Sequence, residues 1–438
     1  MSDARGPHHR QRRPCRRPLL SLPAAAATSQ AGRTLIVGAG PTGLALALQL
    51  AGRGLPVTLL DSRASTGGIF RGEALMPSGL GALEQLGLLP LPAAVRQRPL
   101  EGWSVWLNSR PLFAADEPMG CPHPCTLVSP DDLLVGWSQA LERRPSAQLR
   151  LGTAVAAPIE QHGRITGVRL SDGTELVADL VIACDGRHSP LRRAAGLDLE
   201  QEPTEIDVLW FRLNGPEADA LKERLADRFH TLIGSEGSMA LFTSASGGIQ
   251  LGWPVTRGER CALTPEQWRQ RWLSLCPPAM AQALASLPTE AIEGPQRLPV
   301  RVGLARQWWR PGLLLLGDAA HPMSPIRAQG TSMALRDVLA ASTLLPTALL
   351  QTDAPTRAAA VDQALETLEA LRRPEIRRIQ TLQRQEWQRG ERLAHNGAVR
   401  QLLTCLAPGL GPLLAAFWIH SQRELRLGLA DAGPAGPS

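Results

Sequence analysis

Residues 34–61 read TLIVGAGPTGLALALQLAGRGLPVTLLD, and this stretch decides the fold. The apolar strand TLIVGAG (34–40) is followed by a segment of helical composition (41–54). A second strand, LPVTLLD (55–61), then ends in a carboxylate. A strand, a helix and a strand in this order predict parallel strands joined by a right-handed connection. The sequence therefore predicts an α/β fold.

Six residues between the first strand and the helix match the G-x-G-x-x-G pattern: Gly38, Ala39, Gly40, Pro41, Thr42 and Gly43. The first glycine of this pattern permits a tight turn, the second lets the backbone approach a pyrophosphate, and the third allows close helix–strand packing. The helix N-terminus adds N–H groups and the positive end of a dipole. Asp61 is placed to accept a hydrogen bond from a ribose hydroxyl. The pattern predicts dinucleotide binding, but it does not distinguish NAD from FAD.

Two further predicted strands end in a carboxylate. VADLVIACDG (177–186) ends at Asp185, and LLLLGDAAHPMSPIRAQG (313–330) carries Asp318 directly after four leucines and a glycine. Ligands of open α/β sheets lie outside the carboxyl ends of the strands. We therefore expect these carboxylates to face a ligand.

In three motifs the chain resembles the FAD-dependent aromatic hydroxylases, the single-component flavoprotein monooxygenases related to p-hydroxybenzoate hydroxylase and the ubiquinone-pathway hydroxylases. The motifs are GAGPTG (38–43), CDGRHSPLRR (184–193) and LLLLGDAAHPMSPIRAQG (313–330), in the family's order. The resemblance implies that FAD is bound, that NADPH or NADH reduces it transiently, and that O2 is consumed. It also implies hydroxylation of an electron-rich aromatic or polyprenyl-phenol-like substrate through a flavin C4a-hydroperoxide.

The resemblance also assigns cofactor contacts. Residues of the second motif would lie near both FAD and the nicotinamide cofactor: Asp185, Gly186, Ser189 and Arg192. Residues of the third motif would hold the ribityl chain and run along the isoalloxazine: Gly317, Asp318, Pro325, Gln329 and Gly330. The helix after this turn would aim its N-terminus at the flavin O2/N1 edge and stabilise the anionic reduced flavin. Arg71 matches an arginine near the FAD pyrophosphate or NADPH, with a solvated loop arginine as the alternative.

The chain departs from the family pattern twice. Arg327 and Ala328 precede the Gln-Gly pair, where the family usually has glycine, so we expect side chains here to alter how freely the flavin moves. Ser129 stands before the helix predicted from residue 130, where relatives commonly have arginine. One FAD contact of the family is therefore not expected here.

No catalytic side chain is assigned, because the expected chemistry belongs to the flavin and we find no convincing catalytic triad or carboxylate pair. Substrate contacts are expected on the sheet of residues 201–300. The candidates are Trp210, Arg212 and Trp253, because alternate residues of a strand share a face. Their alternative role is packing in the core. His321 is expected to be structural.

The predicted fold class is α/β, with a Rossmann-type FAD-binding domain interleaved with a mixed β-sheet substrate domain and followed by a helical C-terminal part. The FAD-binding domain is expected in three segments: 31–100, 125–200 and 301–350. The substrate domain is expected in two segments, 101–124 and 201–300. C-terminal helices should occupy 351–438, with a long charged pair of helices around ALRRPEIRRIQTLQRQEW.

Enzymes of other functions share this fold. A halogenase is disfavoured because the chain has one lysine, Lys222, at the wrong place, and LGWPV (251–255) lacks the halogenase pattern. An FAD-dependent reductase of isoprenoid double bonds is the main alternative, and a non-catalytic FAD-holding protein is a third.

The net charge limits the classes of partner that the sequence predicts, and the cysteine content indicates the cellular compartment. The formal net charge of the 438 residues is +6, and residues 1–30 contribute six arginines against one aspartate, or +5 of it, which leaves about +1 for the rest. Nucleic-acid binding is therefore not predicted. The basic tail 1–30 is expected to be disordered, with a transit signal as the weaker alternative. Seven scattered cysteines suit a reducing, cytoplasmic compartment.

Neither a metal site nor a membrane span is predicted. Cys121-Pro-His123-Pro-Cys125 is interpreted as a proline-rich loop, because zinc-finger spacing would need a second pair of ligands. No run of 18 apolar residues appears. LAPGLGPLLAAFWI (406–419) is expected in the core, with contact to a membrane surface as the alternative. The oligomeric state is left open.

Overall fold

The computed structural model describes residues 31–66, 73–202 and 206–429. The predicted tail and Arg71 lie outside these residues. The β-strands are β1 Thr34–Val37, β2 Val57–Leu60, β3 Ala74–Leu75, β4 Gln97–Pro99, β5 Gly102–Leu107, β6 Arg110–Asp116, β7 Thr126–Val128, β8 Ala147–Arg150, β9 Val155–Gln161, β10 Arg164–Leu170, β11 Glu175–Val177, β12 Leu180–Ala183, β13 Leu199–Glu202, β14 Ile206–Leu213, β15 Arg228–Gly234, β16 Gly237–Thr243, β17 Ile249–Thr256, β18 Ile292–Pro299, β19 Val302–Ala305, β20 Trp309–Arg310 and β21 Leu313–Leu315. The α-helices are α1 Pro41–Gly52, α2 Pro77–Gln85, α3 Pro130–Glu142, α4 Pro190–Ala194, α5 Asp219–Leu225, α6 Pro265–Leu275, α7 Pro278–Ala285, α8 Gln329–Leu349, α9 Ala354–His395, α10 Gly397–Ser421 and α11 Arg423–Leu427.

A six-stranded sheet forms the first layer, in the order β20-β21-β12-β1-β2-β8. β1 pairs in parallel with β2 on one side and with β12 on the other, and β12 pairs in parallel with β21. The strand order therefore reverses direction at β1, which is the position where open α/β sheets bind ligands. The predicted α/β, Rossmann-type fold class is confirmed.

Glycines set the geometry of the β1–α1 turn. Gly38 has φ +109°, and a Cβ added there would lie 2.3 Å from the carbonyl oxygen of Cys184. A Cβ on Gly43 would lie 1.9 Å from the carbonyl oxygen of Gly38. A larger residue at Gly38 would push the turn away from the end of β12, and one at Gly43 would push α1 away from the turn, so both glycines are required by packing.

A seven-stranded, mostly antiparallel sheet forms the second unit, in the order β18-β14-β17-β16-β15-β5-β6. Its strands come from residues 102–116 and 206–299. Helices α5, α6 and α7 cover one face with an apolar core that includes Phe211, Trp268 and Trp272. The opposite face carries the aromatic side chains described below. The domain boundaries given above stay a prediction.

The C-terminal region is helical, as predicted, but the pair of helices around ALRRPEIRRIQ is one helix of 42 residues, α9. Pro374 lies inside it. A proline removes one backbone hydrogen bond from a helix interior. Buried packing on both sides of Pro374, by Leu368, Ile376 and Ile379, holds the helix continuous.

Within the described residues, α10 is the one helix long and apolar enough to cross a membrane by length and composition. Most of its residues are exposed rather than packed into the protein. The expectation that 406–419 belongs to the core is wrong for four of its large apolar side chains, which lie at the surface: Leu406, Leu410, Leu413 and Phe417. A core helix would be buried all round, whereas α10 packs along β6, the edge strand of the seven-stranded sheet.

Candidate cofactor and substrate site

Four strand ends meet at one edge of the six-stranded sheet. Because β1, β2, β12 and β21 run in parallel, the residues after them lie side by side. These residues are Gly38, Asp61, Asp185 and Asp318. The structure thus brings together the three sequence motifs, which are separated by up to about 280 residues of chain.

Open space lies against the glycines of this edge. A Cβ added to Gly40 or to Gly186 would meet no atom within 4 Å. A Cβ on Gly330 would meet only Oδ1 of Asp318, at 3.9 Å. These three positions form a cradle that a ligand can approach closely, in contrast to the tightly packed Gly38 and Gly43. The cradle fits the pyrophosphate and ribityl chain of FAD.

Asp61 fixes the first motif from the end of β2. Its Oδ2 accepts a hydrogen bond from the N–H of Ala39 at 2.7 Å, and its Oδ1 accepts from the N–H of Arg63 at 2.8 Å. The Arg63 guanidinium also donates to both oxygens. Burial acts to raise the pKa of Asp61, but the bonds from Arg63 and Ala39 outweigh it and lower the pKa.

Arg63 was missed by the sequence analysis, although an arginine two residues after the strand-end aspartate was visible. Each oxygen of Asp61 already accepts two hydrogen bonds, which fills its acceptor sites. A ribose hydroxyl can therefore reach Asp61 only if the Arg63 side chain, 38% exposed, moves aside.

One carboxylate oxygen of Asp185 accepts a hydrogen bond, and the other accepts none from the described residues. Its Oδ2 accepts from the N–H of Leu191 at 3.2 Å, whereas its buried Oδ1 has no hydrogen-bond partner among the described residues. Burial raises the pKa of this carboxyl. A buried acceptor without a donor is costly, so this oxygen is suited to receive a hydroxyl from a ligand.

Arg192 connects the second motif to the third. It is 4% exposed and donates to the carbonyl oxygen of Ala319 at 2.7 Å and to that of Arg187 at 3.3 Å. Ser189 caps the helix that carries Arg192, because its Oγ accepts from the Arg192 N–H at 2.9 Å. Arg192 and Ser189 therefore stabilise the loops that form the site and do not face the open space beside Gly40, Gly186 and Gly330.

Asp318 lies in a short 3-10 turn beyond β21, with its side chain 37% exposed. Its Oδ2 is 3.9 Å from Nε of Arg187, a long ion pair that leaves acceptor capacity. Gly317 has φ +59°, and a Cβ there would lie 2.8 Å from Oγ1 of Thr42. The first and third motifs are therefore in direct contact.

The turn from Pro325 to Gly330 is strained at the two residues that precede Gln329. Arg327 and Ala328 adopt left-handed backbone conformations, with φ of 58° and 48°. Such conformations cost a residue with a side chain roughly 1 kcal/mol each. Buried Gln329 stabilises the turn because its Nε2 donates to the carbonyl oxygens of Leu425, at 2.7 Å, and Arg327, at 2.9 Å.

The Arg327 side chain clamps this turn to three other elements. Its guanidinium carbon lies 5.2 Å from the ring centroid of Trp103 and 4.8 Å from that of Trp418. It also forms an ion pair with Glu386, where both side chains are mostly buried. The turn is thereby fixed to β5, α10 and α9. No local sequence signal predicts this clamp, because its partners are distant in the chain.

An aromatic face lines the side of the seven-stranded sheet that is free of helices α5 to α7. Phe229 lies 4.7 Å from Trp103 and 5.0 Å from Phe242, centroid to centroid. Trp210 lies 6.2 Å from Phe242. We call Trp103, Trp210, Phe229 and Phe242 the aromatic face. Trp210 was a candidate substrate contact, and it is part of this face.

Arg212 shares the strand and the face of Trp210, with a second polar residue nearby. Glu73 accepts hydrogen bonds from the N–H of Ala245 at 3.1 Å and from Nε2 of Gln250 at 3.3 Å. Burial raises the pKa of Glu73, and the positive charge of Arg212 opposes this. Glu73 was missed by the sequence analysis, because nothing in its own segment marks it.

Trp253 takes its alternative role and packs in the core beneath helices α5 to α7. It pairs across the sheet with Leu209, one residue before Trp210, so it points to the opposite face. There it is 4% exposed and packs against Trp268 at 5.7 Å. The alternation of residues along a strand does not reveal which face a residue of another strand shares, because that depends on the register between the strands.

His321 lies in a buried charge network beneath the site. Its Nε2 is 2.5 Å from Oδ2 of Asp337, and its ring lies 5.0 Å from that of Trp308. Asp337 also accepts from Arg372 at 2.8 Å and from the N–H of Gly317 at 3.3 Å. This arrangement is consistent with a structural role that supports the third motif.

The proline-rich loop packs beside the aromatic face, because Cys125 belongs to the same buried apolar cluster as Trp103 and Phe242. Nε2 of His123 lies 3.0 Å from Oε2 of Glu84, and Cys125 is fully buried. In the part of the chain that the structure describes, no group of three or more His, Cys, Asp or Glu residues is arranged to hold a metal ion.

Comparisons with known proteins agree with this geometry. The family described as "FAD binding domain" matches residues 32–381. The 6-methylpretetramide 4-monooxygenase of Streptomyces rimosus is 32% identical over 361 residues, which cover 80% of this chain and 82% of that protein. The 3-demethoxyubiquinol 3-hydroxylase of Escherichia coli (strain K12) is 27% identical over 336 residues, covering 71% and 78%.

Solved structures show the same fold. P. aeruginosa PqsL in complex with 2-aminobenzoylacetate has a TM-score of 0.71 at 22% identity, covering 86% of this chain and 99% of that one. The p-nitrophenol 4-monooxygenase PnpA from Pseudomonas putida DLL-E4 has a TM-score of 0.72 at 19% identity, covering 92% and 98%.

Proposed function

Since the chain belongs to the FAD-dependent aromatic hydroxylases, and is an FAD- and NAD(P)H-dependent monooxygenase, we propose that it hydroxylates an electron-rich aromatic or polyprenyl-phenol-like compound held against the aromatic face. One observation carries the proposal. The open cradle at the strand ends and the aromatic face of the second sheet are joined by a single turn, 325–330, whose Arg327 contacts Trp103. Cofactor and substrate are therefore expected on the two sides of this turn.

The residues of the cradle have distinct roles in this proposal. Gly40 and the N-terminus of α1 hold the pyrophosphate of FAD, and Asp318 accepts hydrogen bonds from the ribityl hydroxyls. The N-terminus of α8 stabilises negative charge at the end of the flavin that faces it. FAD, when bound, supplies the redox chemistry with O2, and the protein orients the substrate and excludes water.

Basic side chains within the second motif and next to it are suited to bind the phosphates of the reductant. The residues are Arg187, His188, Arg193, Arg257 and Arg301. Burial and the neighbouring arginines lower the pKa of His188. A cavity of about 180 Å³ lies beside Arg257 and Arg301. We propose that the phosphates of NADPH or NADH bind to this cluster, next to the Asp185-Gly186 turn.

The substrate contacts of the proposal are apolar with one charged end. Aromatic rings prefer offset or edge-on contact with other rings, which the aromatic face offers. Arg212 and Glu73 lie at one end of this face and are suited to a polar substituent such as a hydroxyl. No specific feature favours the alternative reduction of isoprenoid double bonds, and the relatives compared are monooxygenases and hydroxylases.

The experiment combines a spectrum with an isotope label. The purified protein is reduced anaerobically with NADPH or NADH while its flavin absorption is followed, and ¹⁸O2 is then admitted with a panel of phenols and polyprenyl phenols. The proposal expects bleaching of the flavin and one ¹⁸O atom in the product. A protein that takes up no FAD, or a product that is reduced and carries no ¹⁸O, would contradict it. Hydrogen peroxide formation without substrate is the control for uncoupled turnover.

A further inference from the structure

An apolar stripe runs along the outer side of α10. Its members follow one another at intervals of three or four residues, which places them on one side of a helix. They are between 36% and 68% exposed: Val399, Leu402, Leu406, Leu410, Leu413 and Phe417. The stripe is about 27 Å long at the rise of an α-helix. Within the described residues, no other helix presents such a continuous exposed row of large apolar side chains.

The charged side chains within the segment that carries the stripe are all basic. Residues 392–423 contain three arginines and two histidines and no aspartate or glutamate. Arg392 and Arg423 lie exposed beyond the two ends of α10. Of the two acidic residues that border this segment, Glu424 pairs with Arg378 at 2.6 Å, and Glu391 lies 3.4 Å from the ring of His395.

The inner side of α10 is firmly attached to the protein. Trp418 lies 5.5 Å from Phe113 and 6.1 Å from Trp103, centroid to centroid. Arg400 donates to Oδ1 of Asn108 at 3.2 Å. Because these contacts tie α10 to β5, β6 and the loop between them, the helix lies along the surface of the protein. It can meet a lipid surface sideways but is not free to cross a bilayer.

We propose that the apolar stripe docks this protein onto an anionic lipid surface, with Arg392 and Arg423 contacting the lipid headgroups. Amphipathic helices bind such surfaces through an apolar face and flanking basic residues. The basic residues of this segment argue against a second copy of this chain as the partner that covers the stripe. Two stripes packed in either direction would place arginines against arginines, with no acidic residue of the segment to compensate. The tail 1–30, with its net +5, is disfavoured for the same reason.

The docking has a consequence for the substrate, and this part rests on the proposed function. Trp103 belongs to the aromatic face and is covered by Trp418 of α10. A docked α10 would therefore hold the aromatic face within one helix diameter of the apolar phase. This favours a substrate that partitions into lipid over one that is confined to water.

The test is sedimentation of the full-length holoprotein with lipid vesicles. Vesicles of phosphatidylcholine alone are compared with mixtures of phosphatidylcholine and phosphatidylglycerol, at low and high salt. Binding is expected only with the anionic vesicles and should weaken as salt rises. The double substitution Leu406→Glu/Leu413→Glu should weaken binding roughly tenfold or more. Val177→Glu, an exposed apolar residue outside the stripe, is the matched control and should bind as the parent protein does.

Further variants and measurements separate the outcomes. Arg392→Glu/Arg423→Glu should lose the preference for anionic vesicles. FAD content and unfolding temperature show that each variant is folded. Equal binding to both vesicle types, or unchanged binding by the Leu406→Glu/Leu413→Glu variant, would overturn the proposal. The proposal would also be overturned if the parent protein did not bind vesicles but formed dimers, measured by light scattering, and the Leu406→Glu/Leu413→Glu variant were monomeric.

The failure of docking and the failure of the proposed function are distinguishable. Vesicle binding requires neither NADPH nor a substrate. A protein that hydroxylates a water-soluble phenol but ignores anionic vesicles refutes the docking alone. A protein that binds anionic vesicles and hydroxylates nothing supports the docking and counts against the proposed function.

Discussion

Arg327 and Ala328 show how single residues set the geometry of the cofactor turn. Both hold a left-handed backbone conformation that glycine adopts without penalty. The contacts of the Arg327 side chain with Trp103, Trp418 and Glu386 compensate for its strain. Ala328 has no comparable side chain, so its strain is not offset in the same way.

We therefore expect Ala328→Gly to stabilise the protein by up to about 1 kcal/mol. Ala359 is an exposed alanine in the interior of α9, and Ala359→Gly should instead destabilise by about 1 kcal/mol, as is usual in helices. Urea denaturation of both variants measures the two free energies of unfolding. Destabilisation of similar size in both would show that Ala328 is not strained.

Removing the Arg327 side chain should have a larger effect. Arg327→Ala loses two cation–π contacts and leaves the mostly buried Glu386 without this partner, which together should cost roughly 2–4 kcal/mol. Glu386→Gln removes the charge that would be left behind, so adding it to Arg327→Ala should recover part of the loss. A double-mutant cycle by urea denaturation, with FAD affinity measured beside it, checks the coupling. Additive effects of the two substitutions would contradict the clamp.

Asp185 should make the free energy of unfolding depend on pH, and the direction of this dependence follows from its raised pKa. Burial raises its pKa in the folded protein, so the charged form is penalised and its folding free energy becomes less favourable as pH rises through the carboxyl range. Asp185→Asn should stabilise the FAD-free protein at neutral pH by about 1 kcal/mol and lose this advantage in acid, where the aspartate is protonated. Its affinity for FAD should fall.

Asp172 is the matched control with the opposite sign. Its pKa is lowered by the hydrogen bonds from Thr174, so its stabilising effect is present at neutral pH and is lost as pH falls through its lowered pKa. Asp172→Asn should therefore destabilise at neutral pH and have no effect in strong acid. Unfolding measured across the acid range compares the two variants, and equal signs would refute the assignment for Asp185.

At the scale of elements, two glycines of the β1–α1 unit allow the effect of a substitution on protein stability to be distinguished from its effect on FAD binding. Gly43→Ala would place a Cβ 1.9 Å from a backbone oxygen, so it should destabilise the protein by more than about 3 kcal/mol. Gly40 has φ −79° and open space beside it, so Gly40→Ala should fold almost normally. That methyl group would occupy the proposed pyrophosphate cradle and weaken FAD binding about tenfold or more. Thermal unfolding without FAD, followed by titration with FAD, distinguishes the two variants. Parent-like FAD affinity in Gly40→Ala would contradict the cradle.

The same scale shows what the sequence can predict. β1, α1 and β2 follow from a local pattern, and the parallel pairing of β12 and β21 with them follows from their apolar strands and carboxylate ends. The two alternatives for Trp253 could not be separated from the sequence, because strand register is decided by partners that a single segment does not reveal. A pair of helices was expected around residue 374, yet tertiary packing keeps one continuous helix through Pro374.

At the scale of the whole molecule, the features that the sequence predicted depend on residues close together in the chain, whereas the features that it missed depend on residues far apart in the chain. The glycine motif and the strand-end aspartates lie within short segments, so their convergence was visible. Arg327 draws its partners from residues 103, 386 and 418, and Glu73 from 245 and 250, so the sequence could not reveal either arrangement. Such long-range contacts join the two sheets and the C-terminal helices around the candidate site.

The buried network of α8 and α9 provides the most severe test of this long-range organisation. Arg372 is fully buried and forms ion pairs with Asp337 and Glu375, which are also buried. Arg372→Met should remove the central partner of two buried carboxylates, leaving Asp337 with His321 and Glu375 with Arg336, and destabilise the protein by about 3 kcal/mol. Arg169 forms an exposed pair with Glu175, so Arg169→Met should cost at most about 1 kcal/mol. Urea denaturation measures both changes. Because Asp337 also accepts from the N–H of Gly317, FAD affinity should fall in Arg372→Met but not in Arg169→Met. A small, equal loss in both variants would show that the network does not support the third motif.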